Sequence, residues 1–136
     1  MGRTHRRTAR ALVVGSCDDE TIAWCDALRL WGFDAIATAD VERALCSVAE
    51  LKPVAVVVDL AMPGCDPLCL VAALRSHGPT RHIGIIAVTN ELTPDVAELA
   101  IGRGCDVVLA RPIDVDELAA EVERVSGRRR NQQRAA

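Results

Sequence analysis

Three residues of this chain stand where phosphoryl chemistry needs them. Asp59 closes the apolar run Val54-Ala-Val-Val-Val58, Thr89 closes Ile83-Gly-Ile-Ile-Ala-Val88, and Arg111-Pro112 follows the shorter run Asp106 to Ala110. A carboxylate can accept the group, while a hydroxyl and a cation hold its oxygens. Met62-Pro63-Gly64 makes a turn directly after Asp59. A second kind of chemistry rests on the cysteines. There are 6, of which Cys17 and Cys65 fall on neighbouring loops of the same edge and suggest thiol or metal sensing. No CxxC pair occurs, and the 3 histidines lack zinc-finger spacing. No Gly-rich phosphate loop or His–nucleophile pairing points to an independent enzyme.

The elements that must position these residues alternate. Arg10 to Gly15 predicts a first strand. Thr21 to Trp31 predicts a helix with Ile22, Cys25, Leu28 and Trp31 on its inner face, ended by Gly32. Phe33 to Thr38 predicts a second strand. Asp40 to Glu50 predicts a second helix, with Val41, Ala44, Leu45 and Val48 facing inward. The runs at Val54 and Ile83 are apolar throughout, as strands buried on both faces are. Asp66-Pro67 and Thr93-Pro94 each supply an N-cap followed by proline at the first helical position. The third helix then runs to about Ser76, and the fourth ends near Gly102 or Gly104. The last helix starts at Asp114, with Glu117 placed for a capping box and Leu118, Val122 and Val125 inside. It is expected to stop at Gly127.

Five βα units in series predict an α/β fold: a (βα)5 doubly wound, five-stranded parallel sheet in a three-layer sandwich. In such sheets the site lies beyond the carboxyl ends of the strands. That places function at Gly15–Asp19, Asp59–Asp66, Thr89–Asn90 and Ala110–Pro112.

The 136 residues suit one domain. Half are hydrophobic, enough for a core without disulfides or metal. The net charge of −3 hides a segregation. Residues 1–10 hold four arginines and no acid, and residues 126–136 hold four more and no acid. All 19 acidic residues lie between them. The expected organisation is a basic flexible tail over 1–9, a domain over 10–126 and a basic flexible tail over 127–136. Arginine tails can touch nucleic acid, but an acidic body with three aromatics (Trp24, Trp31, Phe33) makes it an unlikely partner. No apolar run approaches the ~20 residues of a membrane span, and none suits a signal peptide. A cytoplasmic protein with reduced thiols and no membrane association is expected.

At these residues the sequence resembles the receiver domain of bacterial response regulators, the CheY-like family. Asp59-Leu-Ala-Met-Pro-Gly-Cys-Asp66 is similar to the family's phosphoacceptor loop, D-x-x-M-P-x-x-D. Gly104-Cys105 followed by Arg111-Pro112 is similar to its G-A-x-x-x-x-x-K-P segment. Phe33 after Gly32, Thr89, and Asp114-Val-Asp-Glu-Leu118 also fit. The resemblance covers about residues 10–126. It implies two-component phosphorelay signalling, with Asp59 as phosphoacceptor and Thr89 and Arg111 as its helpers. It implies Mg²⁺ as cofactor and a sensor histidine kinase or another signalling protein as partner, with a homodimer possible.

The departures from that pattern bear on mechanism. The two adjacent acids that hold Mg²⁺ in the family fall at Gly15 and Ser16. Asp59 is then a weak Mg²⁺ ligand, and Asp18 is a further metal candidate. The spacing to Gly32-Phe33 shows no insertion, so Asp18 and Asp19 read first as N-cap and first-turn acids of the first helix. Arg111 replaces the lysine, and can pair bidentately with Asp59 without any phosphate. Asn90 replaces a small residue and crowds access to Asp59. Val108 takes the place of the switch aromatic, and Pro67 that of a glycine. Two readings follow. One is a stand-alone atypical receiver acting through protein contacts. The other is a phosphorylation-independent pseudo-receiver that docks partners on its fourth-helix to fifth-helix face. Thiol or metal sensing, and nucleic-acid contact through the arginine tails, stand behind them.

Overall fold

The computed structural model describes residues 9–135, with side chains described through residue 127. Five strands, β1 (Arg10–Val14), β2 (Asp34–Thr38), β3 (Ala55–Asp59), β4 (Gly84–Thr89) and β5 (Val107–Ala110), alternate with five helices. The helices are α1 (Asp19–Leu30), α2 (Val41–Leu51), α3 (Pro67–Ser76), α4 (Pro94–Arg103) and α5 (Val115–Ala135). A short 3₁₀ turn, Gly78–Thr80, lies between α3 and β4. All strand pairs are parallel, in the order β2-β1-β3-β4-β5.

The sheet is covered on both faces, which is why β3 and β4 are apolar at nearly every position. Side chains alternate between the faces. Ala11, Val13, Val57, Ile86 and Val88 pack against Trp24 and Leu28 of α1 and Leu118, Val122 and Val125 of α5. Leu12, Val14, Val56, Val58 and Ile85 pack against Val48 of α2, Leu70 and Leu74 of α3 and Ala100 of α4.

The caps predicted at Asp18, Asp66 and Thr93 hold, and Asp40 caps α2 in the same way: each accepts backbone N–H groups of the next helix turn. Asp114 accepts those of Asp116 and Glu117.

Three sequence expectations need correction. The inner face of α1 is Thr21, Trp24, Cys25 and Leu28, at i, i+3, i+4 and i+7. Ile22 lies one position off that stripe and is 53% exposed, and Trp31 sits at the cap, also exposed. Leu45 of α2 is likewise exposed rather than inward. Finally, α5 does not stop at Gly127 but continues to Ala135. One glycine costs a helix only about 1 kcal/mol, and Arg, Gln and Ala after it are good helix formers. The segment after Gly127 is therefore helical through Ala135, while residues 1–8 of the expected N-terminal tail lie outside the described residues.

Candidate functional site

The register brings the chemistry-bearing residues to one edge. Val14 pairs with Val58, so Gly15 follows beside Asp59, and a Cβ built on Gly15 lies 3.8 Å from the Asp59 Cβ. Asp59 pairs with Val88, and Thr89 with Ala110, so Arg111 leaves β5 at the same level. The Arg111 N–H donates to the Thr89 carbonyl at 2.9 Å and extends the ladder by one residue.

Asp59 is buried, 5% exposed. Its Oδ1 accepts the Ala61 N–H at 2.9 Å, which fixes the carboxylate over the turn. Arg111 takes the outer side of the same group. Its Nη1 donates to Oδ1 at 3.2 Å and its Nη2 to Oδ2 at 2.8 Å, the bidentate pair expected from the sequence. The rest of the guanidinium is also occupied. Nε donates to both Glu20 oxygens at 3.0 Å, Nη2 donates to Glu20 Oε1 at 2.8 Å, and Nη1 donates to Asn90 Oδ1 at 2.8 Å. Every N–H of the fork thus faces an oxygen. The cation also lies 5.5 Å from the centre of the Trp24 ring, within reach of its π face. Hydrogen bonds donated to Glu20 and then to Asp59 hold the Arg111 proton more tightly than usual, against the opposing effect of burial.

Asn90 accepts a hydrogen bond from Arg111 and so helps to hold the arginine in place. Thr89 is buried, but its hydroxyl serves its own loop. It donates to the Glu91 carbonyl at 3.2 Å and accepts the Glu91 N–H at 3.4 Å. Asp18 is the N-cap of α1, accepting the Thr21 N–H at 3.0 Å and the Thr21 hydroxyl at 3.1 Å. The backbone bond from Thr21 is the main reason its carboxyl lies below the usual range. Ser16 is exposed, and Cys17 after it has a left-handed backbone, φ 58°. Val108 is half-buried against the α2–α4 side of the core. Cys17 and Cys65 are both exposed free thiols. Among the described residues no cluster of three His, Cys, Asp or Glu side chains is arranged to hold a metal ion.

Two site residues, Glu20 and Trp24, were not identified from the sequence. The signal for them was helical spacing. They are four apart on α1, so both project from one stripe toward the same strand ends.

The chain belongs to the response regulator receiver domain family, whose model matches residues 14–123. It is 32% identical over 120 residues to the transcriptional regulatory protein PrrA of Mycobacterium tuberculosis, covering 88% of this chain and 51% of that protein. It thus spans about half the length of the first curated relatives it matches. Its fold is similar to that of the chemotaxis protein CheY4 of Vibrio cholerae, with a TM-score of 0.81 and 21% identity over 88% of this chain and 99% of that one. It is also similar to the receiver domain of a sensor histidine kinase of Pseudomonas aeruginosa, which carries magnesium coordinated in its active-site cleft. There the TM-score is 0.78 and the identity 23%, over 89% and 99% of the two chains. The chain is therefore a receiver domain of the kind used in two-component signalling. No helix among the described residues is long and apolar enough to cross a membrane.

Proposed function

We propose that this receiver domain is a cytoplasmic, non-enzymatic interaction module that signals through protein contacts without phosphorylation of Asp59. The observation that supports this reading is the state of the Asp59 carboxylate. Both of its oxygens accept hydrogen bonds from Arg111, and one also accepts a backbone N–H. An attacking carboxylate needs a free oxygen, and here the guanidinium engages both.

The donor set does not fit Mg²⁺. That ion wants six oxygens in a near-octahedral shell. Gly15 offers no ligand, Ser16 only a hydroxyl, and Asp18 is committed to capping α1. The Arg111 cation already pairs with both Asp59 and Glu20, and a second cation would meet its repulsion. The site is therefore not arranged for a phosphoryl step, and Thr89 and Arg111 have structural parts in it.

The partner is proposed to be a signalling protein docking on the α4–β5–α5 side, where β5 is only partly buried. A sensor histidine kinase is the partner of the competing reading, in which Asp59 is a phosphoacceptor after Arg111 swings aside.

Intact mass after incubation with a small phosphodonor and Mg²⁺, beside an Asp59→Asn control, separates the two. No adduct at saturating donor is expected. An increase of roughly 80 Da that the control lacks would overturn the proposal.

A further inference from the structure

A cavity of about 450 Å³ opens at the amino edge of the sheet, opposite Asp59. Val48, Ala49 and Lys52 at the end of α2, Pro53 and Val54 before β3, and the segment from His77 to Ile83 before β4 enclose it. Its floor is the buried set Val48, Pro53, Thr80 and Ile83. The Thr80 hydroxyl adds no free donor, because it is turned to the Leu74 carbonyl at 2.7 Å. The walls are therefore apolar.

The rim is different. Lys52, His77 and His82 stand around it, and none of the lining residues is acidic. Among the described residues no carboxylate pairs with any of the three, and their side-chain N–H groups meet no protein acceptor. An apolar interior with nitrogen donors on one rim suits a molecule with an apolar body and an anionic end. A nucleotide would bring a sugar and several phosphates to walls that offer them nothing. A metal ion would find two imidazoles but no third ligand, as no such cluster exists among the described residues.

We propose that this cavity binds a small aromatic or branched aliphatic carboxylate, its ring or chain between Val48 and Ile83 and its carboxylate at Lys52 and the two histidines. The volume matches a one- or two-ring acid. The site lies across the sheet from Asp59 and holds whether or not Asp59 is phosphorylated.

The test uses the full chain, with indole-3-acetate as probe and neutral indole-3-ethanol as its uncharged counterpart, followed by ¹H–¹⁵N correlation spectra. Saturable shifts confined to residues 48–54 and 77–83 are expected, at a dissociation constant of about 1 mM or tighter given the size of the probe. The neutral alcohol should bind about tenfold more weakly, and Lys52→Met should weaken the acid by a similar factor. Ala49→Trp, at an exposed helix position, should fill the cavity and abolish the shifts while peaks of β1 and α5 stay in place. Absence of saturable shifts, shifts elsewhere, or equal binding of acid and alcohol would each overturn the proposal.

Discussion

Arg111 grips Asp59 through two parallel hydrogen bonds, 3.2 Å from Nη1 to Oδ1 and 2.8 Å from Nη2 to Oδ2. The side chains are 21% and 7% exposed, so the pair is held largely out of water. Breaking a buried pair by removing one partner costs about 3–5 kcal/mol, because the other charge is left uncompensated. Residual exposure here reduces that, and Arg111→Met should destabilise by about 2–4 kcal/mol. Asp59→Leu removes the other charge, and the double variant should lose clearly less than the two singles together. Urea unfolding of all four proteins measures the coupling, and additive losses would show that the pair contributes little.

Glu20 is the outer jaw of the same clamp, with its side chain 37% exposed. Water screens it, so Glu20→Gln should cost about 1 kcal/mol or less. Its effect belongs to the order of the arginine. With Glu20 replaced by Gln, the guanidinium loses the charge and one of the two acceptor oxygens that its Nε faces, and the cation over the ring of Trp24 is held less firmly. Trp24 is buried while Trp31 is exposed, so iodide quenches Trp31 and leaves the remaining emission to Trp24. That emission should shift in Glu20→Gln and in Arg111→Met alike. An unchanged Trp24 signal in both would mean that the cation is not held there.

Magnesium should leave the native protein unchanged at millimolar concentrations, as read by the same Trp24 emission. The more tolerant position for restoring a ligand is Ser16. A Cβ on Gly15 would meet the Thr21 hydroxyl at 3.1 Å, whereas Ser16 is on the exposed loop. Ser16→Asp combined with Arg111→Lys adds a carboxylate and replaces the planar fork by a flexible point charge. That variant should gain a saturable Mg²⁺ response. A saturable response in the unaltered protein would show that Arg111 yields its place to the ion.

Much of this was legible in the residues. The fold followed from apolar runs with Pro-preceded caps between them, and Asp59, Thr89 and Arg111 stand at the strand ends to which the sequence assigned them. The Asp59–Arg111 pair followed from one substitution, arginine for lysine. What escaped was the rotation of α1. Periodicity alone did not decide between Ile22 and Trp24 as the inward residue, because both are large and apolar. Cys25 and Leu28 fit either rotation, and the structure resolves it by burying Thr21 and Trp24 beside them, with Arg111 over the Trp24 ring. Once α1 is turned correctly, Glu20 comes to the site with it. The end of α5 was missed for another reason, since a glycine reads as a stop although its cost is small beside the formers that follow.

The far end of β5 rests on a different arginine. Arg75 of α3 donates from Nε to the Gly104 carbonyl at 2.9 Å and from Nη2 to Asp106 at 3.0 Å, and Asp106 in turn accepts the Ile85 N–H at 2.8 Å. Gly104 has φ 122°, outside the range of other residues, and a Cβ there would run into the Arg75 side chain. Gly104→Ala should therefore cost about 2 kcal/mol or more, from backbone strain and a displaced arginine together. Chemical denaturation measures it. A loss below about 0.5 kcal/mol would mean that the α4–β5 turn and Arg75 relax freely.

Cys105 sits against the same turn, buried, and burial is the main cause that pushes its thiol up to about 11 from an ordinary 9.0. The direction sets the pH dependence. The folded state holds the proton more tightly than the unfolded chain, so the contribution is complete below pH 9 and is lost as pH rises toward 11. Between those values the unfolded state binds fewer protons, and stability falls by about 1.4 kcal/mol per pH unit, roughly 2–3 kcal/mol in all. Cys105→Ala removes the titrating group. Its own cavity cost is constant with pH, so the difference between the two proteins in urea unfolding should shrink from pH 8 to pH 11. Iodoacetamide supplies an independent reading at pH 8. The exposed thiols of Cys17, Cys46 and Cys65 should react first, Cys69 more slowly because its hydrogen bond to Asp66 raises it, and Cys105 only on unfolding. A stability difference that stays constant with pH, together with early labelling of Cys105, would mean that the thiol is in contact with water.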